Sequence, residues 1–220
     1  MTFTPDTFRF LADLTAHNDR DWFNANRDRY EAHVKAPSMA FIEALAPRMK
    51  EVSPHIRVDA KALFRIHRDT RFSHDKAPYK TNIGLHFRHD SAKDVHAPGF
   101  YMQLGVDDSF IGLGLWRPDA PSLLKIRAYI VKHPAELAKA DAAGAKASLN
   151  YMGDTLQRVP KPWDKDHPLA DALRRKDWIQ SMNLDDGEAV RPDLIDRFLD
   201  VCKAGSPIMR VLCAALERPF

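Results

Sequence analysis

The chain gathers its chemically most distinctive side chains in one segment, residues 65–82, which reads RIHRDTRFSHDKAPYKTN. The segment sets five bases against two acids: Arg65, Arg68, Arg71, Lys76 and Lys80 against Asp69 and Asp75. Guanidinium groups donate paired, coplanar hydrogen bonds that match carboxylate or phosphate oxygens, and lysine adds a movable point charge. Because two acids cannot neutralise five bases, the segment predicts a site for an anion.

We therefore expect this segment to bind a small ligand that carries a phosphate or carboxylate group. Arg68, Arg71 and Lys76 would contact the anion, and Asp69 and Asp75 would orient these bases. Further residues of the segment and of the N-terminal region would complete the site or close the same cleft: Arg65, Lys80, Asn82, Trp22, Asn26 and Arg27.

Acid–base chemistry on such a ligand, as in a hydrolase or a transferase, would use titratable groups beside the arginines. The candidates are His67, Asp69, Asp75 and Tyr79. The chain has no GxSxG, GxxxxGK[ST] or GxGxxG motif. The cluster of His86, His89 and His96 with Asp90 and Asp94 matches no standard zinc spacing. We predict neither a metal nor a cofactor.

Two other interpretations of the basic segment stay open. In the first, the protein is a non-catalytic interaction or scaffold protein, and Asp69 and Asp75 lock the segment through internal ion pairs. In the second, Phe64, Phe72 and Tyr79 stack on the bases of a single-stranded nucleic acid while the cations contact phosphates. The formal charge of the whole chain is only +3, which disfavours nucleic-acid binding.

The residues around this segment show the two-residue period of strands between positions 62 and 117. Predicted strands contain Phe64 and Ile66, then residues 83–87, 102–106 and 110–116, with a tight hairpin at Asp107 and Asp108. If these strands pair in chain order, one polar face carries Arg65, His67, His86, Arg88, Tyr101 and Gln103, and Gly112 and Gly114 leave a trough beside them. That face would form the floor of a pocket.

Helical spacing occupies most of the remaining chain. It predicts two or three helices before residue 52, with Pro37 as a break or a fresh start, and a helix from residue 123 to His133 that precedes an alanine-rich one. Residues 178–184 would be a fifth, edge strand with an exit turn at 185–187, and the tail from Pro192 would form two helices split at 205–207. The fold class is α+β, with a central antiparallel sheet of about four or five strands and helices before and after it that cover one face. One domain over residues 1–220 is the simplest organisation.

Composition limits the remaining classes. The chain has 220 residues, of which 45% are hydrophobic and 29% charged, and no stretch has the length and apolarity of a membrane span. We expect no membrane association and a cytoplasmic location, since the start MTFTPDTFRF lacks the features of a secretory signal. Cys202 and Cys213 are predicted to be reduced thiols. The sequence specifies no oligomeric state.

A resemblance adds to this interpretation. FRFLADLTAHNDRDWFNANRDRY, FRIHRDTRFSHDKAPYKTNIG, GFYMQLGVDDSFIGLGLWRP and LQRVPKPWDKDHP occur in succession. The chain therefore resembles a widespread microbial family of conserved hypothetical proteins, classified as a domain of unknown function. The resemblance runs nearly the full chain and implies one domain. It implies no reaction, cofactor or catalytic residue.

Overall fold

The computed structural model describes residues 3–71, 73–91 and 97–220 and shows an α+β fold built on one five-stranded antiparallel sheet. The strands are β1 (Asn82–Arg88), β2 (Gly99–Gly105), β3 (Ser109–Leu115), β4 (Asn150–Met152) and β5 (Trp178–Leu184). They lie in the order β1-β2-β3-β5-β4, and every neighbouring pair is antiparallel. The expected fold class is therefore confirmed.

Alternation of side chains gives the sheet two different faces. One row on the covered face consists of buried apolar residues: Leu85, Met102, Ile111 and Met182. The neighbouring row on the open face consists of His86, Tyr101, Gly112 and Ser181. Helices pack against the first face, which is the usual arrangement for an antiparallel sheet with alternating polarity.

The N-terminal quarter is helical, as predicted, but residues 3–52 contain four α-helices where two or three were expected. Its helices are α1 (Pro5–Ala16), α2 (Arg20–Ala25), α3 (Arg27–Tyr30) and α4 (Ala36–Met49), with a π-helical turn at Glu31–Lys35 and a short 3₁₀ turn at Ala60–Ala62. Pro37 lies in the first turn of α4, where the missing N–H costs little, so it marks a helix start. Phe41 of α4 packs at 5.8 Å, centroid to centroid, against Phe198.

The C-terminal half supplies the other helices that cover the sheet. They are α5 (Ala120–Lys132), α6 (Pro134–Lys146), α7 (Ala170–Arg174), α8 (Asp186–Ala189), α9 (Leu194–Ala204) and α10 (Ser206–Ala215). The predicted split of the tail is confirmed at Gly205, where an added Cβ would lie 2.2 Å from the side chain of Leu113. Phe198 of α9 contacts Phe87 of β1, with ring centroids 5.4 Å apart. The core therefore lies between the covered face and α4, α9 and α10.

Extended chain covers the outer edge of β1. Ile56 forms an isolated bridge with His89, and Leu63 forms another with Leu85. The prediction of a regular strand that contains Phe64 and Ile66 is therefore wrong. Beyond these bridges the chain leaves β1, and residues 66–68 pair with residues 78–80 instead.

Two further predictions needed correction. Residues 178–184 form β5 with the expected bounds, but β5 lies inside the sheet because the short β4, which has no recognisable pattern in the sequence, pairs with its outer side. Residues 185–187 do not form a simple turn, since the Asp185 carboxylate accepts a hydrogen bond from the backbone of Glu188 and so caps α8. Asp19, which follows Asn18, caps α2 through the N–H of Trp22.

Within the part of the chain that the structure covers, no helix is both long and apolar enough to cross a bilayer. Cys202 and Cys213 are buried free thiols. Burial raises the pKa of both, because the thiolate loses hydration, and that of Cys213 rises to about 11.

Candidate functional site

The basic segment folds back on itself as an irregular hairpin. The Phe64 N–H donates to the carbonyl of Gly84 at 2.9 Å and keeps the segment beside β1. Farther along, Arg68 N–H donates to Pro78 and Lys80 N–H donates to Ile66, at 2.9 and 2.8 Å. These two hydrogen bonds occupy backbone groups that a continued strand would have used along β1. We call residues 63–80 the basic hairpin.

Helix α2 and the residues before it contact this hairpin at Tyr79 through hydrogen bonds and ring stacking. Asn18 donates from Nδ2 to the Tyr79 carbonyl and accepts at Oδ1 from the Tyr79 N–H, both at 3.0 Å. Phe23 stacks on the Tyr79 ring, with centroids 4.1 Å apart and planes 19° apart. Tyr79 is only 4% exposed, so these contacts form a buried seam between α2 and the hairpin.

Both acids of the hairpin pair with arginines, as the sequence suggested. Arg71 donates two hydrogen bonds to Asp69, from Nε at 2.9 Å and from a terminal nitrogen at 2.7 Å. Arg68 donates to Asp75 at 2.5 Å. The Arg71 guanidinium lowers the pKa of Asp69 to about 2, because its hydrogen bonds favour the carboxylate. The pKa of Asp75 is lowered first by the N–H of Ala77 and then by Arg68.

The two lysines of the hairpin also contact the protein itself. Lys76 donates from Nζ to the carbonyl of Thr70 at 2.9 Å. The Lys80 ammonium lies over the Phe64 ring, 5.0 Å from its centroid. Burial lowers the pKa of Lys80, and the nearby charge of Arg65 lowers it further.

Two adjoining cavities lie between the hairpin and helices α2 and α3, with volumes of about 310 and 290 Å³. Asn24, His67 and Tyr79 line both. Among the described residues, the other charged side chains of the lining are basic apart from one glutamate: Arg20 and Arg68 in the first cavity, and Arg27, Lys35, Arg65 and Glu31 in the second. Glu31 is itself paired with Lys35 at 2.8 Å. We call these two cavities together the basic cleft.

Three arginines of the basic cleft form no ion pair with a described residue. The side chains of Arg20, Arg27 and Arg65 form no hydrogen bond or ion pair with any residue in the ranges 3–71, 73–91 and 97–220. Arg68 pairs with Asp75 through one terminal nitrogen, which leaves other donors of its guanidinium fork available. The cleft can therefore present several N–H donors and net positive charge to a ligand.

The structure separates the predicted ligand-binding residues into two groups. Arg65, Arg68 and Arg27 line the basic cleft. The others face elsewhere: Arg71 and Lys76 bind their own loop, Lys80 lies on Phe64, and Asn82 begins β1. Trp22 stacks on His17 at 5.7 Å, and Asn26 donates to the Trp22 carbonyl at 2.9 Å, so both stabilise the helical region.

Sequence reasoning missed several residues of the cleft, among them Arg20 and Asn24. They precede Arg27 by seven and three positions, and this spacing places all three on one helical side when the helices follow one another. That periodicity was the available signal. Among the predicted acid–base candidates, His67 and Tyr79 line both cavities, whereas Asp69 and Asp75 are held by arginines.

Two features that the sequence pattern singles out are only partly described. Phe72, considered for base stacking, and Asp94 and His96, considered with the histidine cluster, lie outside the described residues. Over residues 3–71, 73–91 and 97–220, no group of three or more His, Cys, Asp or Glu side chains is arranged to hold a metal ion.

The fold and the cleft together define an α+β protein with one helix-covered antiparallel sheet and a basic cleft beside its β1 edge. The chain belongs to DUF2461, a family of conserved hypothetical proteins, whose profile matches residues 6–210. Comparisons with curated proteins and with solved structures gave no match.

Proposed function

We propose that this protein binds a small phosphate- or carboxylate-bearing ligand in the basic cleft. The observation that carries the proposal is that the side chains of Arg20, Arg27 and Arg65, which form no hydrogen bond or ion pair with a described residue, line the two adjoining cavities of the basic cleft. Arg27 and Arg65 line the same cavity, where their like charges repel each other, and a bound anion would offset that repulsion. Arginine forks also match the oxygens of carboxylate and phosphate groups.

The surroundings of these arginines favour a directed contact over loose attraction. Phe23 and Tyr79 form an apolar wall of the second cavity, which weakens the screening of charges there. Asn24 and His67 line both cavities and can add hydrogen bonds of fixed direction. A polar ligand could thus be oriented as well as attracted.

The test is direct calorimetric titration of the protein with inorganic phosphate and with citrate. We expect Arg20→Ala/Arg65→Ala to weaken binding of the better probe at least about tenfold, which corresponds to about 1.4 kcal/mol. Arg158→Ala is the matched control, because Arg158 is exposed and forms no hydrogen bond or ion pair with a described residue. Equal affinity of the double variant and the wild type would refute the proposal. So would an equal loss in Arg158→Ala.

A second candidate, the scaffold role, is favoured by the ion pairs Arg68–Asp75 and Arg71–Asp69. If locking the hairpin is their purpose, Arg68→Ala/Arg71→Ala should lower the melting temperature strongly in ligand-free buffer. Asp75, Arg71 and Asp69 are more than 40% exposed, however, although Arg68 is only 28% exposed, and exposed ion pairs contribute about 0–1 kcal/mol each. We therefore expect a small loss of stability, and a large one would favour the scaffold role.

A further inference from the structure

The open face of the sheet carries a trough of about 380 Å³, separate from the basic cleft. Its floor is backbone, because Gly99 pairs directly with Gly114 across β2 and β3, and Gly112 lies two residues away. Aromatic and aliphatic side chains form the walls: Phe64, Tyr101, Phe110, Trp116, Met152 and Ile179. The volume falls within the range of roughly 300–1,000 Å³ that is typical of small-molecule sites.

The structural reasons for glycine differ between two positions of the floor. Gly114 has φ +126°, and an added Cβ would lie 1.9 Å from the Trp178 carbonyl oxygen, so the backbone itself requires glycine there. Gly112 has no such requirement. Its added Cβ would lie 3.5 Å from the nearest atom, on the Phe110 ring, which is ordinary van der Waals contact. The missing side chain at Gly112 therefore opens the trough without serving the fold.

The polar groups within the trough are neutral. The His86 imidazole forms no hydrogen bond with a described residue, and burial, aided by the charge of Arg88, lowers its pKa to about 4. Its imidazole therefore offers one donor and one acceptor near neutral pH. Tyr101 donates from its hydroxyl to Gln103 at 3.0 Å, and burial raises its pKa to about 12. Flat walls with a neutral donor and acceptor suit an aromatic or heteroaromatic ring.

Cations lie beside two of the wall rings. The Arg117 guanidinium carbon is 4.8 Å from the Trp116 ring centroid, and Lys80 Nζ is 5.0 Å from the Phe64 centroid. The Asp108 carboxylate, near Gln103 of the lining, is already engaged, since it accepts a hydrogen bond from Gln103 Nε2 at 2.6 Å. The rim is therefore positive at two places, while the described residues that line the interior include no charged side chain.

We propose that this trough is a second binding site, which takes a flat aromatic or heteroaromatic ring with an acidic group at its edge. The ring lies on the glycine floor between the aromatic walls, and the acidic group reaches a cation at the rim. The proposal is independent of the basic cleft, since it rests on different residues.

Fluorescence titration with anilinonaphthalene sulfonate, a fused aromatic ring with one sulfonate, tests the proposal. Gly112→Val fills the floor with a residue that strands favour, so we expect unchanged or higher stability and at least about tenfold weaker binding. Asn183→Val is the matched control: Asn183 lies on the same face, opposite Phe110 on β5, and does not line the trough. Unchanged affinity in Gly112→Val would overturn the proposal.

Two further measurements keep the test decisive. Met152→Glu places a negative charge on the rim and should weaken sulfonate binding several-fold, whereas Met152→Gln should not. Equal affinities of these two variants for the sulfonate would overturn the site, even if Gly112→Val fails to fold. The uncharged ring N-phenylnaphthylamine should bind wild type at least about tenfold more weakly than the sulfonate. Equal binding of both rings would overturn the acidic-group requirement.

The two sites are distinguished by the Arg20→Ala/Arg65→Ala variant. It should lose phosphate or citrate binding and keep the fluorescent probe, whereas Gly112→Val should show the reverse. Loss of the fluorescent probe in the double arginine variant would place that probe in the basic cleft and overturn the trough assignment.

Discussion

Asn18 and Tyr79 are joined by two hydrogen bonds of 3.0 Å, in which the Asn18 side-chain amide pairs with both backbone groups of Tyr79. The two residues lie 61 positions apart in the chain. Because Tyr79 lines both cavities of the basic cleft, this amide sets the distance between α2 and the basic hairpin. The relationship makes the cleft dependent on a residue that does not line it.

Asn18→Ala should lower the free energy of unfolding by about 1–3 kcal/mol, because it removes partners from the buried backbone groups of Tyr79. Urea denaturation measures the change. Asn24→Ala is the control, since Asn24 is exposed, and it should stay within about 0.5 kcal/mol of wild type. Equal losses in the two variants would contradict this role of Asn18.

The carboxyl group of Asp69 should titrate with a pKa of about 2 in carbon-detected NMR, because Arg71 hydrogen-bonds its charged form. Arg71→Ala should return this pKa toward 3.8. A folded-state pKa below the unfolded value stabilises the protein above pH 3.8, and that contribution is lost as the pH falls toward 2.

The internal control for this titration is Asp75. Its lowered pKa depends first on the N–H of Ala77, so it should stay lowered in Arg71→Ala. An Asp69 pKa that does not rise in this variant would contradict the assignment of the shift to Arg71.

His86 should make the protein less stable as the pH falls from 6.5 to about 4. Its folded-state pKa is depressed, so the unfolded chain binds more protons in this window, and stability rises with pH across it. Over this pH range the free energy of unfolding of the wild type should fall by up to about 3 kcal/mol more than that of His86→Gln. Urea denaturation at several pH values measures this difference. Parallel pH profiles of the two proteins would contradict this prediction.

Gly114 and Gly112 should respond oppositely to alanine. Gly114 has a positive φ, and Gly114→Ala places a Cβ 1.9 Å from a carbonyl oxygen. The substitution should lower the free energy of unfolding by more than about 4 kcal/mol or prevent folding. Gly112→Ala meets only van der Waals contacts and should be neutral or stabilising. Thermal melts of the two variants measure the contrast, and similar melting temperatures would contradict it.

The sheet was predictable where burial on one face imposed alternation. Residues 83–87, 102–106, 110–116 and 178–184 show that pattern, and all fall largely within strands. The order of β4 and β5 was not predictable, because a three-residue strand has too short a pattern to be recognised. The strand at Phe64 failed because pairing with residues 78–80 competed with pairing to β1.

The candidate site was predictable in its location and less so in its members. Charge surplus identified the basic segment, and two of its arginines pair with the expected acids. The sequence cannot show which cations bind groups of their own loop, and for this reason Arg71 and Lys76 were expected to contact the ligand. Arg20 and Asn24 reach the cleft only because Phe23 stacks on Tyr79, a contact between distant parts of the chain.

The short β4 and the covered β1 have a consequence for the behaviour of the protein at high concentration. An unpaired strand edge is a template for another chain, and long exposed edges promote aggregation. Here one edge of the sheet is the three-residue strand Asn150–Met152, and the other is shielded by the bridges of Ile56 and Leu63. The fold thus leaves little backbone for intermolecular strand pairing, and the open trough can remain accessible without turning the sheet into a site for fibril growth.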